Sequence, residues 1–188
     1  MTLIAFLDLE VDPETQSILD IGCITSNQNK FHKNSSHELE NFIKDANYVC
    51  GHNFIAHDFK YLQATLAKVS INQQQVIDTL LLSALLFPAR PYHALNKDYK
   101  TQFESSNSPL NDAIITRDLF YSEIQVFSEL DIALQNIFYL LLKNQSGFQA
   151  FFNYLVFKPV NDDLFVLIYE LFSQDICEQK VGIMIALE

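Results

Sequence analysis

The apolar run Leu3-Ile4-Ala5-Phe6-Leu7-Asp8-Leu9-Glu10 ends in two carboxylates one residue apart, and this constrains the chain more than any other stretch. Its length and composition suit a buried strand, and in a strand residues i and i+2 point to the same face. Asp8 and Glu10 therefore project side by side, where like charges repel, the more so as water is excluded. The pair is tolerable if it is solvated, if one acid keeps its proton, or if a cation lies between the two. A strand end running into solvent satisfies the first condition, so the pair gains meaning only if the chain brings further acids to the same place.

The remaining pattern predicts the frame around that strand. Asp12-Pro13-Glu14-Thr15 reads as a turn, Ile18–Thr25 as a returning strand, Asn27-Gln28-Asn29 as a second turn and Phe31-His32-Lys33 as a short third strand. That is an antiparallel meander. Ser36–Lys44 reads as a helix with an N-cap serine, acids in its first turn and a lysine in its last. Tyr48–Asn53 is a short strand entering a loop, Asp58–Lys68 a helix with Phe59, Leu62 and Leu66 at helical spacing, and Val76-Ile77-Asp78 a further strand. An apolar helix over Leu80–Phe87 is broken by Pro88 and Pro91. Tyr92–Lys100 suits a short helix, Thr101–Pro109 a polar loop, and a long helix starts near Asn111. Strands first, then strand and helix in alternation, predict an α/β domain with a mixed sheet flanked by helices. We place that domain at residues 1–128, followed by a C-terminal helical extension at 129–188 leading into further chain. The aromatics of the extension, such as Phe151, Phe152 and Tyr154, read as core or interface rather than as a platform for stacking bases.

Composition narrows the class. Charged residues are 19% of the 188 and glycines number only 4, which describes a folded chain and not a disordered one. No apolar run approaches the roughly 20 residues that span a bilayer, and the start lacks the basic segment of a secretory signal. Cys23, Cys50 and Cys177 are widely spaced and odd in number, which suits buried thiols in a reducing cytoplasm better than disulfides or a zinc site. The net charge of −11 argues against a chain that grips polynucleotide phosphates alone.

Two more acids sit at helix starts that follow strands, where α/β sheets present ligands. Asp58 lies in Gly51-His52-Asn53-Phe54-Ile55-Ala56-His57-Asp58, and Asp112 in Asn111-Asp112-Ala113-Ile114-Ile115-Thr116. Each also suits a helix-terminal acid that complements the macrodipole. Asp78, before the apolar helix, reads as a cap.

Taken in order, Phe6-x-Asp8-x-Glu10, Gly51-His52-Asn53 with Asp58, Asp78-Thr79, and Asp112-Ala113 with Thr116 and Leu119-Phe120 resemble the four-acid (DEDD) 3′–5′ exonucleases. The resemblance covers residues 3–125 or so. It implies an RNase H-like mixed sheet and two Mg²⁺ or Mn²⁺ ions held by Asp8, Glu10, Asp58 and Asp112. Hard cations take oxygen ligands, and a two-ion site can stabilise both the attacking and the leaving oxygen of a phosphodiester. Leu9, Asn53, His57 and His93 are the candidate substrate contacts, with His52 holding the loop and Lys97 and Lys100 near enough in sequence to touch a phosphate.

The chain departs from the pattern at one point. One branch of the family has a histidine five residues before the last acid, as a base toward the attacking water, and here that position is Asn107; the other has a tyrosine four before it, and here that is Ser108. An asparagine can orient a water but cannot accept its proton. His93 and Asp98 repeat the histidine spacing, though without the helix motif that follows Asp112. The stretch Phe87-Pro88-x-Arg90-Pro91-Tyr92-His93-x-Leu95-x-Lys97-Asp98 is similar to the exonuclease-like domain at the N-terminus of certain bacterial RecQ-type DNA helicases. A fused or partner helicase would supply the grip on DNA that this chain's charge withholds, since two divalent ions bring it only to −7. The expectation is hydrolysis at single-stranded DNA 3′ ends, with RNA as the other substrate and a non-hydrolysing nucleic-acid- or partner-binding fold as the rival.

Overall fold

A computed structural model describes residues 2–95, 108–160 and 162–174. Strands β1 (Ile4–Val11), β2 (Ile18–Thr25) and β3 (Lys30–His32) form the expected meander, with antiparallel pairing throughout. β4 (Tyr48–Gly51) and β5 (Val76–Asp78) then add parallel to β1, giving one five-stranded mixed sheet in the order β3-β2-β1-β4-β5.

β1 lies at the centre and is covered on both faces, which is why its sequence is almost continuously apolar. Ala5, Leu7 and Leu9 enter a core shared with Leu39 and Ile43 of α1 (Ser36–Ile43) and Leu62 and Leu66 of α2 (Phe59–Lys68). Ile4 and Phe6 enter the opposite core with Leu82 of α3 (Thr79–Leu86) and Ala113, Phe120 and Phe127 of α4 (Pro109–Glu129). The Phe6 and Phe120 rings lie 5.7 Å apart. Emptying a buried phenylalanine position to alanine costs about 3–5 kcal/mol, so this contact is a principal tie between sheet and helix.

Most helix boundaries follow local chemistry. Ser35, one residue earlier than expected, caps α1 by accepting from the Glu38 amide at 3.2 Å. α4 starts at Pro109, two residues before the expected Asn111, because proline suits the first helical position, where its missing N–H costs nothing. The expectation of a helix over Tyr92–Lys100 is corrected for its described part: residues 92–95 are an irregular strap. Pro91 precedes that strap, and the His93 main chain lies near enough to the His52 ring to favour its charged form.

Beyond α4 come α5 (Ile132–Leu142), α6 (Gln149–Leu155) and α7 (Leu164–Phe172). Phe151 and Phe152 are buried, and both rings pack edge-on against Phe127, at 5.4 and 5.8 Å. These aromatics are core, as their sequence texture suggests. Among the described residues no helix is long and apolar enough to cross a membrane.

A carboxyl group stands among the buried polar side chains of the second core. Glu123 of α4 is fully buried, and its Oε1 accepts a 2.8 Å hydrogen bond from Ser83 Oγ of α3. Burial, aided by the nearby charge of Asp78, pushes its carboxyl up to about 9, so it carries its proton at neutral pH.

Candidate active site

Strand alternation sets the site. The face of β1 that presents Ile4 and Phe6 to α4 continues with Asp8 and Glu10, which lie at the C-terminal end of the strand and are partly exposed. Cross-strand pairing puts Gly22 opposite Asp8 and Asp20 opposite Glu10, and the register then shifts between Glu10 and Val11. Such a bulge turns the strand and re-aims the side chains next to it.

Gly22 is what allows a helix to reach this end of the strand. A Cβ there would lie 2.0 Å from Leu110 N and 2.0 Å from the Pro109 carbonyl carbon. The first turn of α4 thus rests on bare backbone beside Asp8, and Asp112 belongs to that turn. Its charge acts on the His52 ring.

Asp58 arrives from the third direction. After β4 the chain turns through Asn53, which has φ +58°, a left-handed conformation that asparagine tolerates better than most residues. His57 N and Asp58 N donate to the carbonyls of Asn53 and Phe54 at 3.1 and 3.0 Å, closing the turn. Asp58 then occupies the N-cap position of α2, yet its side chain makes no capping hydrogen bond. No side-chain capping bond therefore accounts for this residue, while its place at the helix N-terminus still suits the macrodipole. It is 8% exposed, and burial together with the charges of Asp78 and Glu10 pushes its carboxyl up to about 7. An acid so placed is held in a surplus of negative potential.

A cleft of 460 Å³ opens at the C-terminal ends of the parallel strands, lined by Asp8, Leu9, His52, Asn53, His57, Asp58, Leu80, Ala94 and Leu95. Asn53 and His57 border it as expected. Leu9 borders it too, although its side chain belongs to the core on the other face of β1. His93 lies in the strap whose next two residues wall the cleft, and its carbonyl region is held by His52. Burial lowers the pKa of that histidine despite neighbouring acids, so His52 is neutral near pH 7 and acts as a strut between Thr79 Oγ1, at 2.9 Å, and the strap. Asn107, Asp98, Lys97 and Lys100 lie outside the described residues.

The donor chemistry fits a hard divalent cation: four carboxylates from β1, α2 and α4, with the Glu10 charge reaching Asp58. Among the described residues, however, no three His, Cys, Asp or Glu groups are gathered as a metal site.

One acid is not legible in the sequence, and another does more than the sequence indicates. Asp20 faces Glu10 and binds His32 Nε2 at 2.6 Å, a placement fixed by a register that the bulge makes hard to read in advance. Asp78 is a cap, with Leu80 N donating to it at 3.0 Å, but it also binds the turn that carries Asn53. Comparison with family models, curated proteins and solved structures gives no match for this chain.

Proposed function

We propose that the chain is a metal-dependent 3′–5′ exonuclease domain of the four-acid class, hydrolysing phosphodiester bonds at single-stranded DNA 3′ ends. The observation that carries this reading is Asp58: a buried acid at a helix start, whose side chain makes no capping hydrogen bond, opening on the same cleft as Asp8. The strand order β3-β2-β1-β4-β5, a meander followed by parallel strands, supports an RNase H-like assignment of the sheet. Asp8, Glu10, Asp58 and Asp112 would hold the Mg²⁺ or Mn²⁺ ions, which supply an activated water and neutralise charge on the leaving oxygen. The protein's own part is to concentrate negative charge where cations are needed and to seat the terminal nucleotide against Asn53, His57 and the Ala94-Leu95 wall. The net charge of −11 leaves the grip on the rest of the strand to a helicase domain, fused or associated.

A second reading, a degenerate exonuclease fold that binds nucleic acid or a partner without hydrolysis, is favoured by Asn107 at the position of the usual base. The deciding experiment follows mononucleotide release from labelled single-stranded DNA and RNA with Mn²⁺ or Mg²⁺, for wild type and Asp8→Ala. Release abolished by Asp8→Ala supports the first reading. Release that survives it overturns the assigned mechanism, and binding without release under every metal condition selects the second.

A further inference from the structure

We propose that the Asp78-Thr79 dipeptide is the positioning element of the cleft, one residue fixing each wall. This rests on the reading of the cleft as the substrate site, and it adds a role for two residues that touch neither substrate nor ion in that reading.

Asp78 ends β5 and is 2% exposed. Its Oδ1 accepts from Asn53 N at 2.9 Å and from Leu80 N at 3.0 Å, and its Oδ2 accepts from Ile55 N at 3.1 Å. One carboxylate thus holds the start of α3 and two amides of the turn that delivers Asp58. Both oxygens are occupied, so no orientation of an asparagine side chain reproduces the set: its NH₂ would confront either the Ile55 amide or the other two. The left-handed Asn53 is kept in place by the same bond.

Thr79 acts on the opposite wall. Its Oγ1 lies 2.9 Å from His52 Nδ1 and 3.3 Å from the Gly51 carbonyl, and the His52 ring in turn hydrogen-bonds the His93 main chain. Ala94 and Leu95, which follow His93, face Asp8, Asn53 and Asp58 across the cleft. The last residue of β5 therefore bonds the acid-bearing turn, and the first residue of α3 bonds the side that leads to the strap. A scaffold of hydrogen bonds behind a reacting group changes rate when it is lost, commonly by 10–100-fold where metal ligands are concerned.

The two arms predict different losses. Asp78→Asn should lower kcat about 10–100-fold with KM for a single-stranded oligonucleotide within about 3-fold of wild type. Thr79→Val, close in shape, should raise KM about 10-fold with kcat retained, since the strap but not Asp58 is released. In metal-free protein, amide exchange reads the same division without activity: Asp78→Asn should lose protection at Asn53 and Ile55, and Thr79→Val should shift the amide resonances of His93, Ala94 and Leu95. Equal effects of both variants on kcat and KM, or exchange and shifts unchanged at those amides, overturn the inference. If wild type releases no nucleotide, the reading of the function fails and the amide measurements alone decide this one. Should Asp78→Asn not fold, Asp78→Glu, whose carboxylate keeps both acceptors but is one methylene longer, replaces it with the same expected split.

Discussion

Gly22 stands opposite Asp8 across the β1–β2 ladder, and the Pro109–Leu110 peptide lies where any other residue at position 22 would carry its Cβ. The absence of a side chain on β2 is thus what admits a helix to the acidic end of β1.

Gly22→Ala should therefore push the first turn of α4 outward. Overpacking of this kind costs about 1–3 kcal/mol, which lowers Tm by roughly 2–10 °C in a chain of this size. On the proposed nuclease reading, nucleotide release should fall as well, because Asp112 belongs to that turn. Thermal unfolding by circular dichroism alongside the release assay checks both; an alanine tolerated in each would contradict the close approach.

Glu123 makes stability fall as pH rises. Its folded-state pKa of about 9 lies above the model-peptide value of 4.5, so the folded state retains a proton that the unfolded chain gives up. The contribution is complete below about pH 4.5 and lost progressively up to about pH 9. Asp58, raised from 3.8 to about 7, acts in the same direction over the lower part of that window. Glu123→Gln keeps the neutral acceptor for Ser83 and should stabilise the protein by about 1–4 kcal/mol at pH 8, with a flatter dependence of Tm on pH between 5 and 9. A pH profile of Tm identical to wild type would contradict the buried neutral acid.

Millimolar Mn²⁺ should raise the Tm of wild type and leave Asp58→Asn unmoved. Ligand at 100 times its Kd adds about 2.7 kcal/mol. Without metal the order reverses, because Asp58→Asn removes an acid crowded by Asp78 and Glu10. Differential scanning fluorimetry with and without the ion measures both differences, and equal Mn²⁺ shifts in the two proteins would detach Asp58 from the metal.

Cys23 and Cys50 are buried in opposite cores, and burial raises both thiols well above their usual range. Neither should react with a disulfide reagent at pH 8 until the protein unfolds, so at most one of the three thiols titrates in the native state. Fast modification of two or more would place one of the pair at the surface.

Legibility followed the range of the interactions. The meander and the strands at Tyr48 and Val76 were readable because alternation and turn residues are local signals. The strap at 92–95 was not, since a long-range bond from His52 outweighs its weak helical pattern. Asp8 and Asp58 were legible because one closes a strand and the other opens a helix, and Asn53 because of the motif it shares with the resembled family, while alternation sends the Leu9 side chain to the other core. Asp78 looked like a cap from sequence and is one; its second and third hydrogen bonds depend on how β4 and β5 lie side by side, which no local pattern states.

The rims of the sheet carry a last consequence. Beyond β5, Ile77 forms a single parallel bridge with Gly147, and Asp78 N donates to the Gly147 carbonyl at 3.4 Å, with Gly147 itself at φ +86°. At the other rim β3 is only three residues long and sets Lys30 and His32 around a buried Phe31. One border is plugged and the other is short and charged, so neither offers the long bare template on which a second chain could polymerise. The sheet is defended against amyloid-like growth at both of its borders.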